Sequence, residues 1–168
     1  MDDNGAHDAE VFRPMRVGLI SDTHGLLRPE AVAALAGVEH ILHAGDIGTE
    51  EILTSLARIA PVTAVRGNND KGPWAARIAE IEVVPLQNLH VYMLHDLAEL
   101  DLDPAAAGFA AVIAGHSHKP KIETRNNVLF VNPGSAGPRR FKLPVTVGFL
   151  EIDGTAIRAN ILELALKT

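Results

Sequence analysis

The sequence predicts an α/β domain that begins with a parallel sheet and becomes richer in antiparallel strands toward its C-terminus. In the first half, short apolar runs alternate with amphipathic stretches, which is typical of strand–helix–strand crossovers. In the second half, paired apolar runs flank short turn sequences, which is typical of hairpins. The length of 168 residues suits one domain with a sizeable core.

Three strands and two helices are predicted in the first half. The strands cover residues 16–21, 40–44 and 62–65, and the helices cover residues 29–36 and 50–59. The first helix begins at Pro29, and proline is favoured in the first helical turn because its missing N–H needs no partner there. Since short links join these elements, we expect right-handed crossovers and parallel strands.

Strands, hairpin turns and one helical segment are predicted in the second half. Strands at residues 80–85 and 89–94 flank a turn at residues 87–88, a helical segment covers residues 103–108, and a buried strand covers residues 110–114. Two further hairpins pair residues 122–125 with 128–132 and residues 146–152 with 156–162. Their turns contain Asn126–Asn127 and Asp153–Gly154, and these residue types tolerate the positive φ that tight hairpins need.

Composition and charge exclude several classes of protein. The formal net charge of −6 argues against a strongly basic nucleic-acid module, so no stable nucleic-acid complex is expected. The absence of cysteine excludes disulfide scaffolds, iron–sulfur clusters, thiolate zinc sites and cysteine nucleophiles. Residues 1–14 are acidic and lack periodicity, so we expect a flexible tail before a single domain at residues 15–168. No membrane segment or signal peptide is recognised, and a cytoplasmic location is expected.

Polar side chains follow the carboxyl ends of three successive predicted strands. Asp22 and His24 follow the first strand, and residues two apart in an extended chain point to the same side. Asp46 follows the second strand and Asn68 the third, each after a glycine. A single residue of this kind indicates turn chemistry. Because parallel strands gather their carboxyl ends at one edge, three in succession favour a shared site.

Histidines follow two later strands. His95 ends the strand at residues 89–94, and His116 and His118 form an H-x-H pattern after the buried strand at residues 110–114. A lone histidine is more often a hydrogen-bonded polar residue than a metal ligand, but a pair directly after an apolar strand favours a metal site. Carboxylate, amide and imidazole donors without sulfur suit Mn²⁺, Fe or Zn²⁺.

Five motifs occur in a characteristic order: SDTHG, GD, GNND, a strand-end histidine and GHSHKP. This order resembles the calcineurin-like metallophosphoesterase superfamily, and more narrowly its small bacterial and archaeal phosphodiesterases of the YfcE/MJ0936 type. The resemblance extends from about Arg16 to the C-terminus and includes NPGS at residues 132–135. It implies a four-layer α/β/β/α sandwich of two mixed β-sheets and hydrolysis of a small or nucleotide-like phosphodiester.

The resemblance also implies a ligand set for two divalent metal ions, Mn²⁺ first, with Zn, Fe or Ni as alternatives. Asp22, His24 and His118 would hold one ion, Asn68, His95 and His116 the other, and Asp46 would bridge both. In such sites the ions lie roughly 3.5–4 Å apart and lower the pKa of a bound water to about 7, which gives a bridging hydroxide nucleophile. Asp46 and Asn68 are therefore expected to be catalytic as well.

Three positions near these motifs carry further expectations. Asn69 stands where phosphomonoesterases of the superfamily often place a histidine that protonates the leaving group, and we expect Asn69 to contact substrate. Asp70 is expected to support catalysis by orienting Asn68 or a ligand histidine, with a loop cap as the alternative. Asp96 follows His95, and it either accepts the second ring N–H of a ligand histidine or ends the strand.

Arg139 and Arg140 are the expected substrate-binding cations, since the guanidinium fork binds two phosphate oxygens at once. A solvated loop is the alternative for this pair. The expected partner is a small phosphorylated substrate, and a homo-oligomer is left open. Two other functions are weighed: a non-catalytic interaction scaffold, like the retromer subunit of the same fold, and a broad phosphomonoesterase or nucleotidase. The complete ligand set argues against the scaffold, and Asn69 argues weakly against the monoesterase.

Overall fold

A computed structural model describes residues 13–167. The predicted tail at residues 1–14 lies almost wholly outside this range, so the division into tail and domain stays a prediction. The strands are β1 (Met15–Ile20), β2 (His40–His43), β3 (Val62–Ala64), β4 (Ile81–Leu86), β5 (Leu89–Leu94), β6 (Ala111–Ile113), β7 (Lys121–Arg125), β8 (Val128–Asn132), β9 (Thr146–Asp153) and β10 (Ala156–Glu163). The helices are α1 (Pro29–Ala34), α2 (Glu50–Ala57) and α3 (Pro73–Ala76), and a 3-10 turn covers Leu97–Glu99.

The strands form two five-stranded mixed sheets. The first sheet has the order β10-β9-β1-β2-β3, in which β1, β2 and β3 are parallel and β9 and β10 are antiparallel. The second sheet has the order β4-β5-β6-β8-β7, in which β5, β6 and β8 are parallel and the two edge strands are antiparallel. The predicted α/β class with two mixed sheets is confirmed.

The main core lies between the two sheets. Successive side chains of a strand point to opposite faces, so each strand contributes alternate residues to this layer. Examples from the first sheet are Leu19, Leu42 and Leu150, and from the second Met93 and Ile113, all of them fully buried. On the other face of the first sheet, Ile20, Ile41 and Phe149 pack against Leu35 and Leu56, and thereby against the helical segments around α1 and α2.

The outer face of the second sheet is covered by an irregular segment. Tyr92, Val112 and Phe130 of this face pack against apolar side chains between residues 97 and 109. The predicted helix at residues 103–108 is wrong: Ala107 N donates to Asp103 O (3.0 Å), but the chain forms turns. Gly108 adopts φ +82°, which no α-helix contains, and the chain then returns to β6. The fourth layer therefore consists of turns and one 3-10 turn.

Two short elements escaped the sequence prediction, namely α3 and the 3-10 turn at Leu97–Glu99. Both are too short to show a helical period. Within residues 13–167, no helix is long and apolar enough to cross a membrane. The parallel strands matter most for function, because the loops that follow β1, β2, β3, β5 and β6 carry the polar residues singled out in the sequence.

Candidate metal centre

The loops after β1, β2, β5 and β6 bring two groups of metal-ligating side chains together. One group is Asp22, His24 and His118, and the other is Asp46, His95 and His116. Within each group, one donor atom per residue lies within 4.8 Å of the others. Asn68 Oδ1 lies 3.2 Å from His116 Nδ1, so the amide joins the second group. All seven side chains expected to be ligands are thus adjacent.

Asp46 lies between the two groups. Its Oδ2 is 3.7 Å from His24 Nε2 on one side and 3.3 Å from His95 Nε2 on the other. Asp22 has a similar position, since its Oδ1 is 3.4 Å from His118 Nε2 and 4.0 Å from His95 Nε2. Two carboxylates surrounded by imidazole nitrogens give a compact set of oxygen and nitrogen donors, with Asp46 placed where a bridging ligand would have to be.

Buried donor atoms without hydrogen-bond partners show that these residues fit a bound cation. Among residues 13–167, Asp22 Oδ1 and His95 Nε2 are buried and have no partner. His95 Nδ1 lies 2.7 Å from Ala44 O and must donate there, because a carbonyl only accepts. In the neutral ring the lone pair of Nε2 then faces Asp46, an arrangement typical of metal-ligating histidines. A divalent cation would satisfy both orphaned atoms, which would otherwise be costly.

The electrostatics of the protein itself favour positive charge beside Asp46. Burial raises the pKa of Asp46, but the adjacent His95 ring and two hydrogen bonds from Asn69 outweigh burial, and the pKa falls below its usual range. Burial lowers the pKa of His95, but its interactions with Asp46 and with the Ala44 carbonyl outweigh burial, and the pKa is raised. Burial lowers the pKa of His24, where the pull of Asp46 and Asp22 is insufficient to reverse the shift.

Five of the candidate ligands have left-handed backbone conformations. They are Asp22 (φ 55°), His24 (45°), Asp46 (54°), His116 (70°) and His118 (62°). The expectation that an extended chain aligns residues two apart is therefore wrong in its geometry, although the side chains do converge. A left-handed conformation costs an L-residue roughly 1–2 kcal/mol, and Asp and His are among the residues that tolerate it best. Such strain concentrates at functional sites.

Hydroxyl groups beside the ligands hold Asp22 in place. Ser21 Oγ donates to Asp22 Oδ2 (2.7 Å), and Ser135 Oγ donates to the backbone oxygen of the same residue (3.0 Å). Asn132 Nδ2 donates to Gly115 O (2.9 Å) and orders the loop that carries His116. No role is predicted for these side chains from the sequence. Their only sequence signal is their position inside the SDTHG and NPGS motifs.

Asn69 and Asp70 follow Asn68 and contact protein atoms. Asn69 donates to both carboxylate oxygens of Asp46, from its backbone N (2.9 Å) and from its side-chain Nδ2 (3.0 Å). Asp70 is buried and accepts from the backbone N–H groups of Gly48 (3.0 Å) and Gly67 (2.8 Å). Asp70 thus connects two loops of the site, which is the loop-cap role given above as the alternative for this residue. Substrate contact by Asn69 and a catalytic role for Asp70 stay predictions.

Asp96 has the turn role that was weighed for it, and its acceptance of a ring N–H from a ligand histidine stays a prediction, because the nearest ring nitrogen is beyond hydrogen-bond distance. Asp96 Oδ1 accepts from Ala98 N (3.0 Å) and caps the 3-10 turn, while its Oδ2 lies 3.8 Å from His116 Nε2. Arg139 and Arg140 are exposed, and within residues 13–167 neither forms an ion pair. The charge of Arg140 contributes, after burial, to the lowered pKa of His24, so this guanidinium is near the site. Substrate binding by the arginine pair stays a prediction.

His43 connects two of the ligand loops from a fully buried position. Gly45 N donates to His43 Nδ1 (3.1 Å), so the ring proton is on Nε2 and is donated to Thr23 Oγ1 (3.0 Å). Thr23 Oγ1 donates in turn to Ile47 O (2.8 Å). This chain of hydrogen bonds fixes the backbone on either side of Asp22 and Asp46. Burial lowers the pKa of His43 to about 4.

The lowered pKa of His43 predicts a loss of stability in weak acid. Unfolded His43 takes up a proton below about pH 6.5, whereas the folded form resists protonation until about pH 4. The unfolding free energy should therefore fall as pH decreases from 6.5 to 4, by about 3 kcal/mol from this group. Urea titrations in EDTA across this range measure it. His43→Gln should flatten the slope, and the exposed His90→Gln should not; equal slopes would contradict the assignment.

Comparisons with known proteins agree with this geometry. A sequence profile of the calcineurin-like phosphoesterase superfamily domain matches residues 15–155. The probable metallophosphoesterase of Methanothermobacter thermautotrophicus is 38% identical over 160 residues, which cover 89% of this chain and 92% of the relative. Phosphodiesterase MJ0936 of Methanocaldococcus jannaschii is 27% identical over 168 residues, with 89% and 100% covered.

The fold also occurs in a protein whose name indicates a different function. The structure of Vacuolar Protein Sorting 29 from Cryptosporidium parvum superimposes with a TM-score of 0.72 at 20% identity, over 90% of this chain and 98% of that one. At this identity the likeness concerns the fold alone. The profile match and the metallophosphoesterase relative settle the family independently of it: the chain belongs to the calcineurin-like phosphoesterase superfamily.

Proposed function

We propose that the protein is a divalent-metal-dependent phosphodiesterase acting on a small or nucleotide-like phosphodiester. The observation that carries this proposal is the convergence of two imidazole-containing ligand groups on Asp46, with buried donor atoms lacking any protein partner. The relative named as a phosphodiesterase supports the type of ester. The oxygen and nitrogen donors suit Mn²⁺, Fe or Zn²⁺, and Mn²⁺ is proposed first because the family resemblance implies it, with Zn, Fe or Ni as alternatives.

The residues of the site have two proposed functions: some would coordinate two metal ions, and others orient these ligands. Asp22, His24 and His118 would hold one ion, Asn68, His95 and His116 the other, and Asp46 both. Bound divalent ions neutralise phosphoryl charge and lower the pKa of a coordinated water from 15.7 to about 7. The protein contributes orientation: Ser21 fixes the carboxylate of Asp22, Asn69 fixes that of Asp46, and the Ala44 carbonyl fixes the ring of His95.

Asn69 affects which substrates are hydrolysed quickly. An amide side chain has no proton to give at neutral pH, and this one already donates to Asp46 (3.0 Å). A leaving group must therefore depart without a proton from this position. A stable leaving anion, such as an aryl oxide, needs no such help, whereas an alkoxide does.

The proposal predicts a metal-dependent preference for aryl phosphodiesters. Protein stripped of metal should be inactive, and Mn²⁺ should restore hydrolysis better than Mg²⁺, with Zn²⁺ and Ni²⁺ tested alongside. An aryl phosphodiester should react at least about 100-fold faster than an alkyl phosphomonoester, the lower range of a general acid's contribution. Released phenolate and phosphate measure the two rates. Equal rates would contradict the role given to Asn69, and inactivity with every ion would contradict the enzyme.

A non-catalytic scaffold is the second candidate. The fold shared with Vacuolar Protein Sorting 29 favours it. Each of the seven expected ligand positions holds a competent side chain, and these side chains lie together, which favours the enzyme. The same assay separates the two candidates, because a scaffold would bind metal ions without hydrolysing any of the esters.

A further inference from the structure

A groove of about 240 Å³ opens on the outer face of the second sheet. Its floor is apolar and consists mainly of Val112, Ala114 and Phe130, which point outward from β6, from the residue after it and from β8. The turns that cover the rest of this face contribute Asp96 and Leu97 to the groove lining. We call this feature the outer groove.

The outer groove adjoins the candidate metal centre. A second cavity, of about 150 Å³, is lined by Asn68, His95 and His116. Asp96 and His116 line both cavities and separate them. A molecule held at the metal centre would therefore have to extend past Asp96 and His116 to reach the outer groove.

Three cations surround the apolar floor of the outer groove. Every second residue of β7 is charged, namely Lys121, Glu123 and Arg125, so these three side chains lie on the same face of the sheet. Lys121 Nζ (3.2 Å) and Arg125 Nη2 (2.9 Å) share a single oxygen, Glu123 Oε2. Lys119 forms no ion pair within residues 13–167. With Asp96 at the border of the groove, two carboxylates and three cations line it, so its local charge is positive in a chain whose net charge is −6.

The chemistry of the outer groove favours a flat aromatic group with a negative charge. The floor provides apolar contact, and the Arg125 guanidinium lies over the Phe130 ring, 4.7 Å from its centroid. Guanidinium planes and apolar floors both accept a stacked ring. The lysines supply charge for an anion. Pockets for whole drug-sized ligands measure about 300–1,000 Å³, so this smaller volume suits one arm of a larger molecule.

We propose that the outer groove binds one arm of the phosphodiester substrate, an aromatic ring that carries its own anionic group, as in a nucleotide. This inference rests on the proposed function, since the scissile phosphate is taken to lie at the metal centre. The groove then recognises the part of the substrate that does not react. Contacts to such a remote arm are made equally before and during reaction, so they lower KM more than they raise kcat.

Charge reversal at Lys121 tests the inference through substrate preference. Two aryl phosphodiesters are compared, one whose second arm is a nucleotide with a terminal phosphate and one whose second arm is methyl. In Lys121→Glu, kcat/KM for the nucleotide ester should fall at least about tenfold relative to the methyl ester, mainly through KM. Arg58→Glu, an equal change of charge at the exposed end of α2, should leave the ratio unaltered. An unaltered ratio in Lys121→Glu overturns the inference.

A binding measurement separates failure of this inference from failure of the proposed function. Naphthalene-2-sulfonate is a flat aromatic anion that a phosphoesterase cannot hydrolyse. In the full chain loaded with diamagnetic Zn²⁺ it should shift the backbone NMR signals of β6, β7 and β8, and Lys121→Glu should weaken its binding at least about fivefold. This result without ester hydrolysis would keep the groove and overturn the enzyme. Hydrolysis without these shifts, or shifts located elsewhere, would overturn the groove.

Discussion

Asp46→Asn should abolish phosphodiester hydrolysis while leaving the two sheets folded. We expect turnover to fall by about 10³-fold, a loss comparable to removing a central electrostatic group from other active sites. The substitution removes the negative charge that lies 3.3 Å from His95 and 3.7 Å from His24, and it leaves one oxygen where a shared carboxylate needs two. Both ligand groups then lose the carboxylate that lies beside a histidine of each.

Two measurements give this prediction its control. Far-UV circular dichroism should be the same for Asp46→Asn and the unaltered protein, because the side chain lies in a loop and not in the core between the sheets. Metal content after dialysis against Mn²⁺ should fall in the variant. Asp101→Asn removes an equal charge from an exposed residue and should keep full activity. An Asp46→Asn protein with more than a tenth of the original turnover would contradict the bridging role.

Gly45→Ala should damage the metal centre through the backbone. Gly45 has φ +100°, where an L-residue is strained, and a Cβ there would lie 2.6 Å from His95 Nδ1 and 2.9 Å from its Cγ. The ring of His95 must move away from the Ala44 carbonyl that orients it. Loss of such an orienting contact typically lowers metal affinity about 10–100-fold. Unfolding free energy should also drop by at least about 1–2 kcal/mol from the strained conformation.

Gly37→Ala is a matched control for this substitution. Gly37 has φ +84°, but nothing lies within 4 Å of the position of an added Cβ. Both variants therefore carry the backbone cost, and only Gly45→Ala also displaces a candidate ligand. Denaturant titrations should show losses in both proteins, whereas Mn²⁺ titrations should show weakened binding in Gly45→Ala alone. Equal Mn²⁺ affinity in the two variants would show that His95 tolerates the displacement.

Much of the fold was predictable because local pattern and tertiary structure agree. The Asn126–Asn127 dipeptide between two predicted strands located one hairpin, and both asparagines adopt positive φ. The neighbourhood of Asp22, Asp46 and Asn68 followed from a general property of parallel strands, whose carboxyl ends share an edge. The helix at residues 103–108 failed, because composition could not show that Gly108 turns the chain back toward β6.

The geometry of the candidate site was beyond sequence reasoning. The left-handed conformation of Asp22, His24 and the other ligands is imposed by tertiary hydrogen bonds, such as Asp22 N to Gly45 O (2.9 Å) and His24 N to Asp46 O (2.9 Å). The charged residues at every second position of β7, including Lys121 and Arg125, are visible in the sequence. Whether turns cover that face is decided by packing, so the outer groove was not visible.

The candidate ligands are divided between the two sheets: Asp22, His24, Asp46 and Asn68 follow strands of the first, and His95, His116 and His118 follow strands of the second. Neither sheet alone provides all the candidate ligands of either proposed ion. Ions that bind only when the two sheets are packed together stabilise the folded state by mass action. We therefore expect metal loading and cooperative unfolding to be linked, so that the melting temperature reports metal occupancy. Substitutions remote from the chemistry that let one sheet slide over the other would first be noticed as metal loss.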